Sequence, residues 1–389
     1  MFINYEKEGM TMASEHVSPE KNTGKARHGK KPEKQVQLGK TKKKGRGRIA
    51  LGVVMSTFGV ICLVLAILIN GMLARFGSSL DNATFLEEDT LKPDYSGYEQ
   101  DDLIDYTPED LSKLEVRGNN DYVTNYLLIG CDSRSGERAR SDTNIILSIN
   151  DKTKTIKLVS ILRDTWVYNP GLGGYDRINA AFMYAGFDGL LSTVESNFCL
   201  DIDQAVMVDF NSFASAVDAL GGIDVDVDEA AASWIPKEDP HNPDSFAKSE
   251  DGIQIREPIG YEAGNYHLAG FQALAFCRLR YIYADSDISR QRNQRRVISG
   301  LIKTAMQNPS KIFNVLDAVL ADVTLYRISK GEILSYVDNA TKYLGYKIEM
   351  DYEFTYQNMT TAGGAMVLTL PDQEQQLMNL HEYLYGEGE

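Results

Sequence analysis

The sequence lacks the motifs of the commonest hydrolases. It has only five histidines, and the three beyond residue 28, which are His241, His267 and His381, stand far apart in the chain. It contains no HExxH, GxSxG or P-loop pattern. Zinc hydrolysis and the usual serine triad are therefore disfavoured.

Cysteine is also scarce. Cys62 lies in an apolar run, and the other three, Cys131, Cys199 and Cys277, include no CxxC spacing. This indicates neither a zinc site nor a disulfide framework. A single Cys199–Cys277 bridge and buried free thiols both remain open.

Charge is distributed unevenly along the chain. Residues 1–48 hold 13 Lys and Arg against 5 Asp and Glu, a net charge of +8 in a chain whose net charge is −15. The folded part must then carry −23, which disfavours nucleic acid as its ligand.

One long run has no charged residue at all. Ile49–Ile69 contains 21 apolar or small residues, enough to cross a hydrocarbon core of about 30 Å. A cleaved signal peptide is the alternative, but the run and the 48 residues before it are too long for one. We therefore predict a disordered basic cytoplasmic tail over residues 1–48 and a transmembrane anchor over 49–73. The basic cluster before the span places the rest of this single-pass cell-membrane protein outside the cell.

The remaining chain divides into two regions. Residues 74–120 are acidic with little apolar periodicity and are predicted to form an extracellular stalk. Residues 121–389 alternate between strand and helix patterns, which predicts an α/β domain with a mixed central sheet and helices on both faces. Among the expected elements are a helix over Ala180–Cys199 broken near Gly186, a long loop over Trp234–Gly264, and helices over Leu268–Cys277, Ile288–Met306 (capped by Asp287) and Ser329–Leu344.

Arginine and carboxylate side chains occur together at several predicted element ends. Arginine matches two phosphate oxygens at once, and carboxylates suit a metal ion beside the phosphate. Any single pair is more simply a surface ion pair, but four groups at element ends favour a common ligand site. If Arg278 and Arg280 share one face, the preceding helix must end before Arg278. The four groups are Asp132, Arg134, Arg140 and Asp142; Arg163 and Asp164; Arg278 and Arg280; and Asp285, Asp287, Arg290 and Arg292.

Seven segments in order resemble the LytR–CpsA–Psr family of bacterial envelope proteins. The resemblance runs from about Tyr126 to Leu301 and weakens towards Tyr343. The segments are LLIGCDSR, ARSDTNIILSI, LVSILRDTWV, DRINAAF, VDFNSFASAVDALGGIDVDV, LAGFQALAFCRLRY and DSDISRQRNQ.

The resemblance implies a phosphotransferase. Such proteins move a glycopolymer with its phosphate from a polyprenyl pyrophosphate to a peptidoglycan hydroxyl, with Mg²⁺ (or Mn²⁺) on the pyrophosphate. Asp132 and Asp287 would hold the metal, with Asp285 as an alternative second ligand. The resemblance assigns catalytic roles to Asp132, Arg134, Arg163 and Asp287, and substrate binding to Arg140, Arg177, Asn179, Arg278, Arg280, Arg290 and Gln294.

Some positions depart from the family pattern. Leu162 replaces a Pro, Arg177 replaces a Lys, and Asn293 stands where an Arg usually precedes Gln294, so Arg292 would have to compensate. An apolar channel for the polyprenyl chain is also implied, and it would be lined by Phe182, Met183, Phe187, Leu190 and Leu191. Two other functions remain open: an envelope regulator that binds polyprenyl phosphate without transfer, and a lipid pyrophosphatase.

Overall fold

The structure is a computed structural model. It describes residues 77–386 except 79, 82, 90, 104–106, 118–119, 132–138, 203, 238–257, 321 and 339. The predicted tail and membrane span lie outside these residues. Among the residues that are described, no helix has both the length and the apolar character needed to cross a membrane.

Strands and helices alternate along most of the described chain. The strands are β1 (Thr84–Leu86), β2 (Val123–Cys131), β3 (Ser141–Asn150), β4 (Thr155–Ile161), β5 (Trp166–Asn169), β6 (Gly174–Arg177), β7 (Gln204–Val208), β8 (Ile223–Val227), β9 (Gly264–Leu268), β10 (Thr324–Tyr326), β11 (Lys347–Glu349), β12 (Gln357–Thr360) and β13 (Met366–Thr369). The α-helices are α1 (Ile178–Phe198), α2 (Phe210–Leu220), α3 (Glu229–Ala232), α4 (Gly270–Arg278), α5 (Asp287–Gln307), α6 (Ile312–Val319), α7 (Lys330–Asp338) and α8 (Gln373–Tyr385).

A seven-stranded sheet forms the centre of the fold. Its strand order is β1-β10-β7-β2-β3-β4-β11. The β2–β3, β3–β4 and β7–β10 pairs are antiparallel, whereas β2–β7, β4–β11 and β1–β10 are parallel. This confirms the predicted α/β class with a mixed central sheet.

Helices pack against the sheet through alternate residues of its strands. Leu127 and Ile129 of β2 belong to the core cluster that contains Leu190 of α1 and Leu380 of α8. Tyr126 belongs to a different cluster, which takes in α6 and α7. Because neighbouring strand residues point to opposite faces, these helices bury different sides of the sheet.

The region predicted as a stalk packs onto the domain instead. Leu80 is buried in the core, and β1 adds a parallel edge strand beside β10. Farther along, the backbone N–H of Arg117 donates to the carbonyl of Cys199 at 2.9 Å. The prediction that the domain begins at residue 121 is wrong, because a few well-spaced apolar side chains anchor an otherwise acidic segment.

Several local predictions also need correction. Neither the β5–β6 hairpin nor strand β9 was predicted from the sequence. The helix predicted over Ser329–Leu344 ends at Asp338 and continues as a 3₁₀ turn over Ala340–Gly345. Cys131, Cys199 and Cys277 are buried free thiols, so the Cys199–Cys277 bridge is not formed.

The predicted break in α1 is confirmed. Ala185 and Gly186 leave helical geometry, and Gly186 has a φ of +59°. A Cβ at Gly186 would lie 2.2 Å from a carboxylate oxygen of Asp89, so both the backbone and the close approach require glycine.

Candidate functional site

The site begins at one end of the β3–β4 pair. Asn144 of β3 faces Ile161 of β4 in an antiparallel register, so two residues farther on Asp142 comes opposite Arg163. The Nη1 atom of Arg163 donates to Oδ1 of Asp142 at 2.9 Å. Cys131, the last residue of β2, pairs with Ser141 at the same end of the sheet.

The first turns of α5 are fixed against this edge. Buried Gln291 donates from Nε2 to the carbonyl of Ile161 at 2.9 Å, which ties the helix to the end of β4. The residue before the helix is Ser286, whose φ is +34° and whose side chain makes no capping hydrogen bond. This sharp turn separates Asp285 from Asp287 and directs the N-terminus of α5 towards Arg163.

Asp287 does not serve as the predicted helix cap. Its carboxylate forms ion pairs with Nη2 of Arg280 at 2.6 Å and with Nη2 of Arg290 at 2.7 Å. Arg280 reaches this position because α4 ends at Arg278 and Leu279 is extended. The helix therefore includes Arg278, contrary to the expectation that it would end before that residue.

Electrostatic coupling joins these side chains into one group, which we call the site cluster: Asp142, Arg163, Arg280, Asp287 and Arg290. Burial lowers the pKa of the Arg163 guanidinium, but its hydrogen bond to Asp142 and the charges of Asp142, Asp164 and Asp287 outweigh burial and raise the pKa. The pKa of Arg290 is lowered, first by burial and then by the positive charges of Arg163 and Arg280. The negative charges of Asp287 and Asp142 raise this pKa without restoring it, so Arg290 is a buried cation that is only partly compensated.

Unmet hydrogen bonds support the same conclusion. Among the described residues, Arg280 Nε and Arg290 Nε are buried donors without a partner, whereas Arg290 Nη2 and Asp287 Oδ1 contact each other in the 2.7 Å ion pair. Native proteins rarely leave such groups unpaired. Asp164 lies 3.4 Å from Arg163 and is itself paired with Arg177 at 3.8 Å, so four guanidinium groups lie among three carboxylates. The excess of positive charge makes the site suited to an anion with several oxygen atoms.

Other predicted site residues surround the cluster. Arg177 Nη1 lies 3.8 Å from Oδ1 of Asp164, the residue that follows Arg163. The backbone N–H of Asn179 donates to the carbonyl of Arg163 at 3.2 Å. In the described part of the chain, Asn179 Oδ1 and Gln294 Oε1 are buried without partners, as expected of side chains that await a ligand.

The remaining predicted residues are less closely placed. Arg140 is exposed, and its charge acts on Tyr184. Arg278 is half-buried at the end of α4. Asp132 and Arg134 lie outside the described residues, so their predicted roles stay predictions.

Asp285 belongs to a second group, the Glu353 network, which comprises Asp285, Arg292, Arg295 and Glu353. Arg292 binds Glu353 with two nitrogens at 2.7 Å each and binds Asp285 at 2.8 Å. Arg295 adds a contact of 2.5 Å to Glu353. Arg292 is therefore engaged away from the site cluster and does not compensate for Asn293, whose side chain donates to Tyr283.

A divalent metal fits the site only with help from the ligand. The described residues contain no group of three or more His, Cys, Asp or Glu side chains that could hold a metal. Mg²⁺, however, is commonly bound by one or two carboxylates together with phosphate oxygens and water. Asp287, whose carboxylate lies among the arginines of the site cluster, is suited to such a shared site.

The predicted polyprenyl channel finds little support in this conformation. Phe187, Leu190 and Leu191 are buried in the central core, and Phe187 stacks on Tyr326 with ring centroids 4.7 Å apart. As core residues they require no further explanation.

Three residues that support the site were not predicted from the sequence. Gln291 and Glu353 hold α5, and the hydroxyl of Tyr356 accepts the N–H of Leu162 at 3.1 Å. The position of Gln291 could have indicated its role, since it lies between Arg290 and Arg292 near the start of an amphipathic helix. No sequence pattern indicated a role for Glu353 or Tyr356, because their partners are far away in sequence.

Known proteins resemble this chain over much of its length. Residues 95–380 match the sequence model of the LytR_cpsA_psr family. The chain is 36% identical over 189 residues to the polyisoprenyl-teichoic acid–peptidoglycan teichoic acid transferase TagU of Bacillus cereus (strain ATCC 14579), covering 49% of this chain and 55% of that protein. TagU of Bacillus anthracis (strain A0248) is 33% identical over 214 residues, which cover 55% and 61%. The aligned part of the chain thus spans little more than half the length of these relatives.

Solved structures show a similar fold. TagT bound to LIIa-WTA superposes with a TM-score of 0.53 at 25% identity, covering 68% of this chain and 90% of that one. TagV of B. subtilis gives a TM-score of 0.53 at 27% identity, covering 68% and 98%. The family match extends over most of the described domain and includes every residue of the site cluster. The chain therefore belongs to the LytR_cpsA_psr family.

Proposed function

We propose that this protein is a cell-wall phosphotransferase that moves a glycopolymer with its phosphate from a polyprenyl pyrophosphate to a hydroxyl of peptidoglycan. The observation that carries the proposal is the site cluster, with its excess positive charge and its buried, unpartnered donors. The relatives named for transfer of teichoic acid to peptidoglycan support the same reaction class.

The arginines are suited to hold the pyrophosphate. Phosphoryl transfer depends mainly on positioning and on spreading the developing charge over fixed cations. Arg163, Arg280 and Arg290 supply three guanidinium groups at one edge of the sheet, and Asp142 and Asp287 fix the orientation of those groups.

The reaction exchanges one phosphorus–oxygen bond for another. The acceptor hydroxyl oxygen forms a bond to the phosphorus that carries the glycan, and the bond from that phosphorus to the bridging oxygen breaks. Polyprenyl phosphate leaves, and the hydroxyl proton is released. Mg²⁺ bound by Asp287, and by Asp132 as the sequence predicts, would neutralise charge on the phosphates.

The membrane anchor belongs to the same proposal. A span over residues 49–73 with the domain outside the cell would place the site in the compartment that holds both the lipid-linked donor and the acceptor.

A reconstituted transfer assay tests the proposal. The full chain in detergent is mixed with a labelled polyprenyl-pyrophosphate glycan, peptidoglycan and Mg²⁺, and label bound to peptidoglycan is measured. Arg280→Gln should reduce transfer by roughly a hundredfold or more, as loss of a charge-stabilising group does. Arg296→Gln is the matched control, since Arg296 lies on α5 but pairs with Asp228 at 3.3 Å, outside the site cluster.

Two results would contradict transfer. Phosphorylated glycan released equally well without peptidoglycan would identify a lipid pyrophosphatase. Donor binding that needs Arg280, with no product under any condition, would identify a binding protein that does not transfer.

A further inference from the structure

The β12–β13 hairpin holds both chain neighbours of Arg163. The hydroxyl of Tyr356, one residue before β12, accepts the N–H of Leu162 at 3.1 Å. On β13, the N–H of Leu368 donates to the carbonyl of Asp164 at 3.0 Å. The hairpin is therefore joined directly to the loop that carries the site arginine.

A cavity of about 260 Å³ lies against the same hairpin. Its wall includes Gln357 and Thr369, which directly follow the two residues that hold the Arg163 loop. The other walls come from Thr107, Glu109 and the start of α8. We call this cavity the hairpin pocket.

The chemistry of the pocket differs from that of the site cluster. None of the described residues that line it is Lys or Arg, so it offers no cation for a phosphate. Its one carboxylate, Glu109, already accepts the backbone N–H groups of Gln373 and Glu374 at 3.0 and 2.8 Å. The pocket is thus suited to an uncharged ligand.

The other lining groups indicate the class of that ligand. Met359, Leu370 and Pro371 provide an apolar surface. The side chains of Thr107 and Gln357 are exposed polar groups beside that surface. A pyranose ring has one apolar face and a rim of hydroxyl and amide groups, which matches this mixture. The volume suits a single ring and its substituents and is too small for a lipid chain or a folded partner.

We propose that the hairpin pocket binds an uncharged, N-acetylated pyranose ring of the acceptor glycan. This inference rests on the proposed transfer to peptidoglycan and names where the acceptor strand is held. The pocket and the Arg163 loop are held by the same hairpin, so an acceptor strand bound here would be fixed to the element that also positions Arg163. Donor and acceptor then have separate binding surfaces of opposite chemical character.

The test uses chitotetraose, an uncharged chain of N-acetylated pyranoses, with the full chain in detergent. Binding is followed by saturation-transfer NMR without any donor. Gln357→Trp, which fills the pocket from an exposed position, should weaken binding by at least about tenfold, equivalent to losing one or two hydrogen bonds. Gln357→Ala should weaken it less. Gln375→Trp is the matched control, because Gln375 is exposed on α8, bonds Asn379 and does not line the pocket.

Kinetics supply a second readout. In the transfer assay, Gln357→Trp should raise the KM for peptidoglycan and leave the KM for the lipid-linked donor unchanged. Chitotetraose binding that is equal in all variants, or that inorganic pyrophosphate displaces, would overturn the assignment. So would a stem peptide that competes where the sugar does not.

The two proposals fail in distinguishable ways. If wild type transfers glycan and Gln357→Trp has an unchanged KM for peptidoglycan, the pocket assignment is wrong and the transferase stands. If chitotetraose binding depends on Gln357 but no transfer occurs, the pocket stands and the proposed function is wrong.

Discussion

Helix α5 supports two groups of arginine and carboxylate side chains that look alike in sequence and differ in their surroundings. In the Glu353 network, two arginines face two carboxylates, and Arg292 makes a two-nitrogen contact with Glu353. In the site cluster, three arginines face two carboxylates. Within the described residues, the site cluster has two buried donors with neither a hydrogen bond nor an ion pair, Arg280 Nε and Arg290 Nε, whereas the Glu353 network has one, Arg295 Nε.

The difference separates a structural role from a binding role. An ionic group with balanced charge and paired side chains fixes the direction of a helix and has no free charge with which to bind a ligand. A group with surplus positive charge and unmet donors is held at a cost in free energy that a bound anion can offset. The composition of the two groups is nearly the same, so partners rather than residue types distinguish them.

The largest effect should follow from breaking the site cluster. Arg290→Met should lower the rate of transfer by about 10² to 10³-fold, since it removes a fixed charge from the reacting phosphates. Thermal stability should change little, because the variant removes a buried cation with an unmet Nε donor while Asp287 keeps its ion pair with Arg280. Initial rates and a thermal unfolding scan measure the two effects. Normal activity, or a large loss of stability, would show that Arg290 is structural.

Breaking the Glu353 network should have the opposite outcome. Glu353→Gln leaves Arg295, only 5% exposed, without a charged partner. We expect a loss of about 3 kcal/mol in the free energy of unfolding, as for other broken buried pairs. Chemical denaturation measures this loss. An unchanged stability would contradict the structural role of Glu353.

A bound anion should sharpen the contrast. At ten times its dissociation constant, inorganic pyrophosphate should stabilise the wild type by about 1.4 kcal/mol. Glu353→Gln should gain the same amount, and Arg290→Met should gain little. The midpoint of thermal unfolding with and without pyrophosphate measures the gain. Equal gains in all three proteins would place the anion elsewhere.

The smallest effect concerns pH. Burial raises the pKa of Glu353, but Arg292 and Arg295 outweigh burial and lower it below its usual value. A carboxyl with a lowered folded-state pKa stabilises the fold above its unfolded pKa, and this contribution is lost as pH falls through the folded pKa. Wild type should therefore lose more stability than Glu353→Gln between about pH 5 and about pH 3. Parallel pH dependences in the two proteins would exclude this contribution.

The sequence allowed the site to be predicted where its contacts are local or follow from a simple register. Asp287 and Arg290 are three residues apart on one helix, so their pairing follows from helix geometry. Asp142 and Arg163 are 21 residues apart, but they end two strands joined by a short turn. The sequence placed all four residues among the candidate site residues but did not predict either pairing.

Contacts between residues far apart in the chain could not be predicted from local sequence patterns. Glu353 contacts residues about 60 positions earlier in the chain, and nothing in the acidic and aromatic segment around it, IEMDYEFTY, indicates which arginines it pairs with. β1 is three residues long and becomes a strand only because β10 lies beside it. Both depend on tertiary packing, which local propensity does not encode.

The turn at Ser286 connects the two groups. A non-glycine residue with a φ of +34° is held there against a cost on the order of 1–3 kcal/mol. Ion pairs on both sides stabilise this conformation: Asp285 binds Arg292 of the Glu353 network, and Asp287 binds Arg280 of the site cluster. The two groups are thus energetically coupled through a single residue, and the free energies of substitutions at Asp285 and Asp287 will not add. A rigid Glu353 network therefore fixes, through Ser286, the position of Asp287 in the site cluster.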